Sequence, residues 1–458
     1  MGSSQDRTAL LARARGLSNR AALAPARYVL VAYAALILFG TAALSLPQAS
    51  AMERPLTFVE ALFTAASAVC VTGLTVVSTA HDLSLAGQLI VLALLQIGAL
   101  GIMTISTFFL LLFGKRVSLT DRLLLQQDLK SGALSGLIRL VRHVVTVTFA
   151  VEAAGAAVLY FALPDDLTPA RAAYLAVFHA VSAFANGGFD LFGESLAGVP
   201  FRIPFGTALI ALTALGGLGF TVLEELRSYR PGRRLSLHTR VVLRATAWLL
   251  GLGCLLSLLL EWNNPATLAP MHPAERAWHA LFLSAMTRSG GFSSVPTAGL
   301  SESTLFLCMI LMFIGAAPGS TGGGIKTTTA ATIWAGVRSS IAGRLDVSIA
   351  NRRLPEDALA KAVALVVLAA LTLLGAVFIL TLTEDAPFLA TLFEAVSAFG
   401  TAGLSTGAAA SFSAAGKIVL VLLMLVGRIG PLTFALALSA GEDGPGRVRL
   451  PEERLPLG

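Results

Sequence analysis

The sequence predicts an all-α integral membrane protein in which four pseudo-symmetric repeats of helix, pore loop and helix surround one central pore. Of its 458 residues, 55% are hydrophobic and only 13% are charged, and the mean hydropathy is +0.78. This composition is not typical of a soluble domain. Apolar runs at residues 28–46, 89–113, 358–381 and 418–438 can each cross about 30 Å of hydrocarbon. The third observation is a glycine motif that recurs along the chain.

Basic residues fall in five short clusters, separated by stretches that contain few of them. The clusters lie at residues 7–27, 115–142, 227–244, 338–353 and 447–454. By the positive-inside rule, this alternation places both termini in the cytoplasm and predicts an even number of spans in a plasma or inner membrane. Few aromatic residues accompany the arginines, so the net charge of +7 does not indicate nucleic acid binding.

The glycine motif occurs at residues 61–74, 177–189, 280–292 and 392–404. Each copy ends in a glycine that is followed by a bulky apolar residue, and successive glycines are 103 to 115 residues apart. These glycines are Gly73, Gly188, Gly291 and Gly403. A nearly constant period of this kind indicates an internal repeat.

A serine precedes the glycine by six residues in three copies, at Ser67, Ser182 and Ser397, whereas Ser284 precedes Gly291 by seven. The third copy is therefore either slightly longer or aligned differently. Each segment before the glycine has about a dozen apolar residues, which predicts a re-entrant helix that does not span the membrane. Chain that is not helical at membrane depth must be buried in protein or line water, so we expect the four turns to form a ring.

A second motif of small residues follows each turn and predicts close helix approach around the axis. Its copies lie at residues 98–101, 216–219, 315–319 and 427–430. The chain then divides into eight full spans and four re-entrant pore helices. The divisions are a cytoplasmic N-terminal segment (1–27), repeats at 28–135, 136–236, 237–352 and 353–440, and a cytoplasmic tail (441–458).

Eight motifs, taken together and in order, resemble those of a known family. They are CVTGL (70–74), NGGFD (186–190), RSGGF (288–292), GTAGL (400–404), SLTDRLLLQ (118–126), EWNNP (261–265), PGSTGGGIK (318–326) and GRIGP (427–431). Over almost its whole length the chain resembles the Trk/Ktr/HKT potassium transporter superfamily, and it is most similar to the bacterial KtrB branch. The resemblance implies the K⁺-conducting subunit of an uptake system, a homodimer, and a cytoplasmic nucleotide-binding regulatory ring of the KtrA type.

Backbone carbonyl groups at the four turns are the predicted ligands of the ion, because they can replace the hydration shell of K⁺. The predicted filter residues are Val71, Thr72, Gly73, Asn186, Gly187, Gly188, Ser289, Gly290, Gly291, Thr401, Ala402 and Gly403. Ser289 and Gly290 stand where the family more often has Thr and Ala, so the choice between K⁺ and Na⁺ stays open. Asp190 is a candidate for attracting cations at the outer mouth, with an ordinary solvated loop acid as the alternative.

A gate is predicted within the third repeat, where residues 318–326 interrupt an apolar stretch with proline and glycines. Its candidate residues are Gly319, Gly322, Gly323, Gly324 and Lys326. Lys326 would repel cations from within the membrane, and the alternative is a lysine that snorkels from a helix start. The stretch is not a nucleotide-binding P-loop, because Ile325 separates the last glycine from the lysine.

Arg428 is the sixth gate candidate, because it occupies a position where the first two repeats have small residues. It is expected to act as an electrostatic barrier or gate partner, and the alternative is a buried ion pair with an acid such as Glu152. Glu60 and Glu394 are expected only to favour the N-terminal ends of their pore helices.

The sequence argues against an enzyme and against an organic cofactor. Cys70, Cys254 and Cys308 fall in apolar segments, so no disulfide framework is expected, and the six histidines lack metal-ligand spacing. Two alternatives stay open: an alternating-access secondary cation transporter, and the ion-conducting subunit of an ATP-driven pump. Alternating-access folds usually contain two inverted repeats, whereas these four copies share one orientation.

Overall fold

The structure is a computed structural model that describes residues 26–101 and 137–438, apart from residues 194, 198, 200, 201, 231–233 and 345. Helices dominate this part of the chain. Its strands form one short antiparallel ribbon, β1 (Ser348–Ile349) with β2 (Arg352–Arg353). The all-α class is therefore confirmed. The predicted segments within 1–25, 102–136 and 439–458 lie outside the described residues.

The helices of the described chain range in length from 4 to 28 residues. They are α1 (Ala26–Leu44), α2 (Phe58–Cys70), α3 (Leu85–Leu100), α4 (Leu137–Ala162), α5 (Pro169–Ala185), α6 (Arg202–Leu218), α7 (Phe220–Arg227), α8 (Leu237–Glu261), α9 (Pro273–Met286), α10 (Glu302–Phe313), α11 (Thr327–Ile341), α12 (Glu356–Thr383), α13 (Phe388–Gly400), α14 (Ala408–Ser411), α15 (Ala414–Ile429) and α16 (Pro431–Leu438). Two short 3-10 turns lie at Pro47–Ala49 and Thr297–Gly299.

Four of the described helices, α1, α4, α8 and α12, are long and apolar enough to cross a membrane. Two bent pairs are further candidates: α6 meets α7 at 100°, and α15 meets α16 at 105°. By length and composition the described chain therefore has four to six spans. The expected number of eight stays a prediction, since part of the first repeat lies outside the described residues.

Glycines with a left-handed backbone produce both bends. Gly219 lies between α6 and α7 with a φ of 90°, and Gly430 lies between α15 and α16 with a φ of 96°. A side chain would disfavour this backbone region, which glycine adopts readily. The predicted span over residues 418–438 is bent at Gly430 into α15 and α16, which makes it a broken span or a re-entrant segment.

The first glycine of each small-residue motif does not bend the chain. It allows close contact between two backbones instead. A Cβ atom at Gly98, Gly216 or Gly427 would overlap the carbonyl oxygen of Val69, Phe184 or Phe399, respectively. These three carbonyls each lie four residues before the turn glycine of their own copy. The helix that follows each of these turns is therefore fixed at the same height against the end of the short helix.

The short helices α2, α5, α9 and α13 form the centre of the molecule. Their phenylalanines Phe63, Phe178, Phe282 and Phe393 are all 0% exposed. In contrast, the long helices expose large apolar side chains, including Trp248 on α8 at 74%. Large apolar surfaces of this kind mark contact with lipid, so the chain is a multi-pass membrane protein.

We expect Gly427→Ala to destabilise the protein, because the new methyl group would overlap the Phe399 carbonyl oxygen. Overpacking of this kind typically costs about 1–3 kcal/mol. The measurement is the midpoint of thermal unfolding in detergent, followed by size-exclusion chromatography. Gly375→Ala on α12 is the matched control, because a Cβ there meets nothing within 4 Å; an equal loss of stability in both variants would contradict this account.

Candidate ion-conduction site

The four turns share one backbone conformation. The residue two before each turn glycine has a left-handed backbone, with φ of 59° at Val71, 63° at Asn186, 69° at Ser289 and 46° at Thr401. The glycines also have positive φ, of 87° at Gly73, 66° at Gly188, 75° at Gly291 and 86° at Gly403. Left-handed residues other than glycine are energetically costly, and such strain concentrates at functional sites.

Backbone hydrogen bonds hold three of the turns in the same way. The N–H groups of Thr72, Gly187 and Ala402 donate to the carbonyl oxygens of Ser67, Ser182 and Ser397, at 2.8, 2.7 and 2.9 Å. These bonds satisfy the last carbonyls of the short helices, as in a Schellman-type helix end. The motif serines therefore mark the residues that accept this bond.

The third turn differs, and the structure decides between the two alignments that the sequence leaves open. Gly290 and Gly291 both donate to the carbonyl oxygen of Met286, at 2.8 and 3.3 Å. Met286 therefore replaces the motif serine. Ser284 instead connects α9 to α8, since its hydroxyl donates to the Leu250 carbonyl oxygen on α8. The third copy is aligned differently and is one residue shorter between Phe282 and its glycine.

The turn glycines meet one another at the centre of the molecule. A Cβ atom built on Gly188 would lie 2.6 Å from the Gly291 Cα atom, and one on Gly403 would lie 2.9 Å from the same atom. One on Gly73 would lie 3.2 Å from the Gly188 Cα atom. All four glycines line a single cavity of about 530 Å³. The structure thus brings together the four turns that the sequence predicts as the filter.

Side chains behind the turns fix their shape. The Ser67 hydroxyl accepts a hydrogen bond from the Gly73 N–H group at 3.0 Å, and the Ser182 hydroxyl donates to the Phe189 carbonyl oxygen at 2.8 Å. With its amide oxygen and nitrogen exchanged, the orientation that satisfies both atoms, the Asn186 side chain donates to the carbonyl oxygens of Ala183 and Thr213, at 3.1 and 3.0 Å. Sequence reasoning used the serines only to align the copies and missed their role in holding the turns.

A loop of residues 314–326 lies beside the turns, between α10 and α11. The Gly323 N–H group donates to the Thr401 hydroxyl at 2.9 Å, and a Cβ on Gly322 would lie 3.0 Å from the Ser289 Cβ atom. The loop therefore contacts two of the four turns. The predicted gate residues Gly319, Gly322, Gly324 and Lys326 of this loop line a second cavity of about 160 Å³. Arg428 of α15 lines the same cavity.

The same loop is hydrogen-bonded to the helices that follow the second and fourth turns. Ala317 and Thr321 donate to the carbonyl oxygens of Gly217 and Gly216, at 3.0 and 3.3 Å. Gly324 donates to the Gly427 carbonyl oxygen at 3.3 Å. These contacts connect separate repeats, so movement of the loop requires these bonds to break.

Lys326 and Arg428 direct their charges at carbonyl groups of this loop. The Lys326 ammonium group donates to the Gly322 carbonyl oxygen at 2.6 Å. Arg428 donates to the carbonyl oxygens of Thr321 in the loop and Gly98 at the end of α3. Arg428 therefore connects the first repeat, the fourth repeat and the loop.

The alternative pairing of Arg428 with Glu152 is wrong. Glu152 is buried on α4, and its carboxylate accepts from the Gln96 side-chain amide at 3.0 and 3.2 Å. The sequence placed both charged residues within apolar segments, but it gave no information on the distance between them. The partner of Glu152 is therefore the neutral amide of Gln96 and not the guanidinium group of Arg428.

The acids near the turns differ from one another. Glu60 lies in the first turn of α2 and forms a capping box with Thr57, as expected at a helix start. Glu394 was expected to do the same, and this is wrong. It lies in the middle of α13, is fully buried, and accepts hydrogen bonds from the Ser405 hydroxyl and the Thr406 N–H group, both at 2.8 Å. Through these hydrogen bonds, Glu394 fixes Ser405 and Thr406, which directly follow the fourth turn.

Asp190 directly follows the second turn and lines the same cavity as the four turn glycines. Its carboxylate accepts hydrogen bonds from the N–H groups of Phe192 and Gly193, both at 2.8 Å. Within residues 26–101 and the described part of 137–438, no cluster of three His, Cys, Asp or Glu side chains could bind a metal ion. The turn residues themselves, at 71–73, 186–188, 289–291 and 401–403, include no acid, so their oxygen atoms belong to the backbone and to neutral side chains.

Together these features define a multi-pass membrane protein whose buried turns meet around one cavity. A family model described as "TrkH: Cation transport protein" matches residues 13–443. The chain belongs to this TrkH family of cation transport proteins, and the resemblance inferred from its motifs is confirmed. Membership in a transporter family also agrees with the expectation that the chain is not an enzyme.

Individual relatives extend over nearly the whole chain. The Ktr system potassium uptake protein B of Bacillus subtilis (strain 168) is 34% identical, over 93% of this chain and 95% of its own length. The potassium/sodium uptake protein NtpJ of Enterococcus hirae is 34% identical, over 96% and 98%. The crystal structure of the potassium transporter TrkH from Vibrio parahaemolyticus superposes with a TM-score of 0.71 at 20% identity, over 89% of this chain and 84% of that chain, and it shows the common fold.

We expect Ser67→Ala to destabilise the first turn, because it leaves the buried Gly73 N–H group without an acceptor. An unsatisfied buried donor costs about 1–3 kcal/mol. Ser397→Ala is the matched control, because among the described residues the Ser397 hydroxyl has no hydrogen-bond partner. Thermal unfolding in detergent should show a lower midpoint for Ser67→Ala only; equal midpoints for the two variants would remove the assigned role.

Proposed function

We propose that this chain is the ion-translocating subunit of a potassium uptake system and conducts K⁺ through a channel-like pore between the four turns. The observation that carries the proposal is the direct contact of Gly73, Gly188, Gly291 and Gly403 around one cavity. In the proposed architecture, each turn belongs to one of four helix, pore-loop, helix repeats, with eight spans in total. The Ktr relatives are named as potassium uptake proteins, which supports potassium as the ion.

The chemistry of the turns suits a dehydrated monovalent cation. Backbone carbonyl groups supply several weak dipoles in place of water, so an ion binds without being held by a full opposite charge. The proposed ligands are the carbonyl groups of the three residues that end each turn, from Val71 to Gly73 in the first copy and at the equivalent positions in the others. Three residues per turn make a short filter, which favours modest discrimination between K⁺ and Na⁺.

The loop of residues 314–326 is the proposed gate. It contacts two turns, and the cavity that it lines on one side is separate from the cavity lined by the four glycines. Its hydrogen bonds to Gly216, Gly217 and Gly427 would hold it closed, and Arg428 would add a positive charge to the ion path. Opening requires these bonds to exchange for others.

A cytoplasmic partner is the proposed source of the energy that opens the gate. The relatives are named as parts of a Ktr system, which supports a partner subunit, and we propose a nucleotide-binding ring of the KtrA type. A homodimer in the lipid membrane with both termini in the cytoplasm completes this assembly. The basic clusters at residues 227–244 and 338–353 support a cytoplasmic location for these loops, on the side of such a partner.

Sodium is the second candidate ion. The relative from Enterococcus hirae is named as a potassium/sodium uptake protein, and a short filter tolerates either ion. The test is uptake of radioactive Rb⁺ and Na⁺ into vesicles that contain the purified chain, with and without the regulatory partner. Faster Rb⁺ uptake supports potassium, equal rates support a shared path, and an absence of both fluxes in the complete complex contradicts ion conduction.

Gly403→Ala should abolish Rb⁺ uptake in this assay. A Cβ atom at this position would overlap the Thr72 carbonyl oxygen, and Gly403 also has a φ of 86° that a side chain disfavours. Gly407→Ala is the control, because Gly407 has a φ of 91° but a Cβ there meets nothing within 4 Å. Gly407→Ala therefore carries the backbone strain without the overlap, and loss of uptake in both variants would show that strain alone is responsible.

Arg428→Gln should raise Rb⁺ uptake by the chain in the absence of the partner, because it removes a charge and weakens the bonds from Arg428 to Thr321 and Gly98. Lys361→Gln is the control, since Lys361 is an exposed cation on α12 that pairs with Asp357. The initial rate and its dependence on Rb⁺ concentration are measured for both variants. Unchanged rate and unchanged ion affinity in Arg428→Gln would exclude Arg428 from the gate.

A further inference from the structure

The third turn carries a positive charge at a position where the other turns have small residues. Three residues before the turn glycine, the first, second and fourth copies have Cys70, Ala185 and Gly400, whereas the third copy has Arg288. Arg288 directly precedes Ser289, whose left-handed backbone begins the third turn. The guanidinium group therefore belongs to the third turn and has no counterpart in the other three.

The Arg288 side chain is buried and poorly neutralised. The residue is 9% exposed, and its Nη2 atom donates to the Gly315 carbonyl oxygen over a long distance of 3.4 Å. The Nε atom has no hydrogen-bond acceptor in the described chain. None of the ion pairs between described residues includes Arg288. Its charge therefore acts on its surroundings without a nearby carboxylate to cancel it.

The position of the guanidinium group is fixed by its neighbours. Gly315 lies at the start of the loop of residues 314–326, and the same loop contacts the third turn, where a Cβ on Gly322 would lie 3.0 Å from the Ser289 Cβ atom. Arg288 thus lies between the third turn and the loop. A permanent charge without a partner is costly in such a site, and charged residues within membrane proteins usually have a function.

We propose that Arg288 lowers the affinity of the third turn for cations and thereby speeds release of the ion from the filter. This inference rests on the proposed function. Conduction requires binding that is favourable enough for an ion to bind and weak enough for it to leave. The carbonyl dipoles of the turns attract the ion, and the positive charge directly behind the third turn offsets part of that attraction.

A purely structural role for Arg288 predicts a different result. If its only task is to hold Gly315, then its loss disorders the third turn, which weakens ion binding and changes the preference between ions. The electrostatic role predicts tighter binding of every monovalent cation by the same factor, because a charge acts on Rb⁺ and Na⁺ alike. The direction of the change in affinity separates the two roles.

The experiment compares Arg288→Met, which removes the charge and keeps most of the length, with Arg288→Lys, which keeps the charge. Rb⁺ and Na⁺ uptake into vesicles is measured over a range of ion concentrations, and each variant is first tested for an unchanged elution profile and unfolding midpoint. Arg288→Gln replaces Arg288→Met if the latter does not fold. Arg171→Met is the matched control, because Arg171 is an exposed arginine at the start of α5 and its charge is screened by salt.

In Arg288→Met, we expect KM for both ions to fall by roughly tenfold, with a lower maximal rate and an unchanged ratio of the two KM values. Arg288→Lys and Arg171→Met should keep the KM of the unmodified chain. An unchanged or higher KM in Arg288→Met, or the same change in Arg288→Lys, overturns the inference. If the unmodified chain in its complete complex passes neither ion, the proposed function fails instead, so the two failures are distinguishable.

Discussion

The structure depends on one constraint: four segments of non-helical backbone must meet within van der Waals contact, and the backbone N–H groups where they leave the short helices must still find acceptors. Left-handed residues turn the chain at the end of each short helix, and the motif serines or Met286 accept the hydrogen bonds that this creates. Only glycine fits where the turns touch, since a Cβ on Gly73 or Gly403 would overlap a neighbouring carbonyl oxygen. The carbonyl groups of the turns are thereby held in place, which suits the proposed filter.

The helices that follow the turns extend the same constraint outward. Gly98, Gly216 and Gly427 let these helices touch the backbone of the short helices, so the turns cannot move apart without loss of packing. The glycines three residues later, such as Gly219 and Gly430, bend the chain away. The small-residue motif therefore lets two helices touch and then turns the chain. The cavity of about 160 Å³ lies next to these bends.

The third repeat departs from the others in the hydrogen bonds of its turn and in the helix that follows the turn. Its turn is held by Met286 instead of a serine, and its following helix is replaced in the middle by the loop of residues 314–326. Three basic side chains donate to carbonyl oxygens of this loop: Arg288 to Gly315, Arg428 to Thr321 and Lys326 to Gly322. A loop whose oxygens are occupied by tethered cations is a poor site for a free cation, which is consistent with its proposed role as a barrier.

The sequence by itself determined the membrane class, the four copies of the motif and the residues of the turns, because hydropathy and glycine spacing are local properties of the chain. Sequence could not decide the partners of Arg428, Glu152 and Glu394, since these contacts join residues up to hundreds of positions apart. It also could not tell which glycines bend a helix and which allow close contact, because both look alike in one dimension. Only the tertiary structure, which sets each φ angle and each neighbouring carbonyl, separated them.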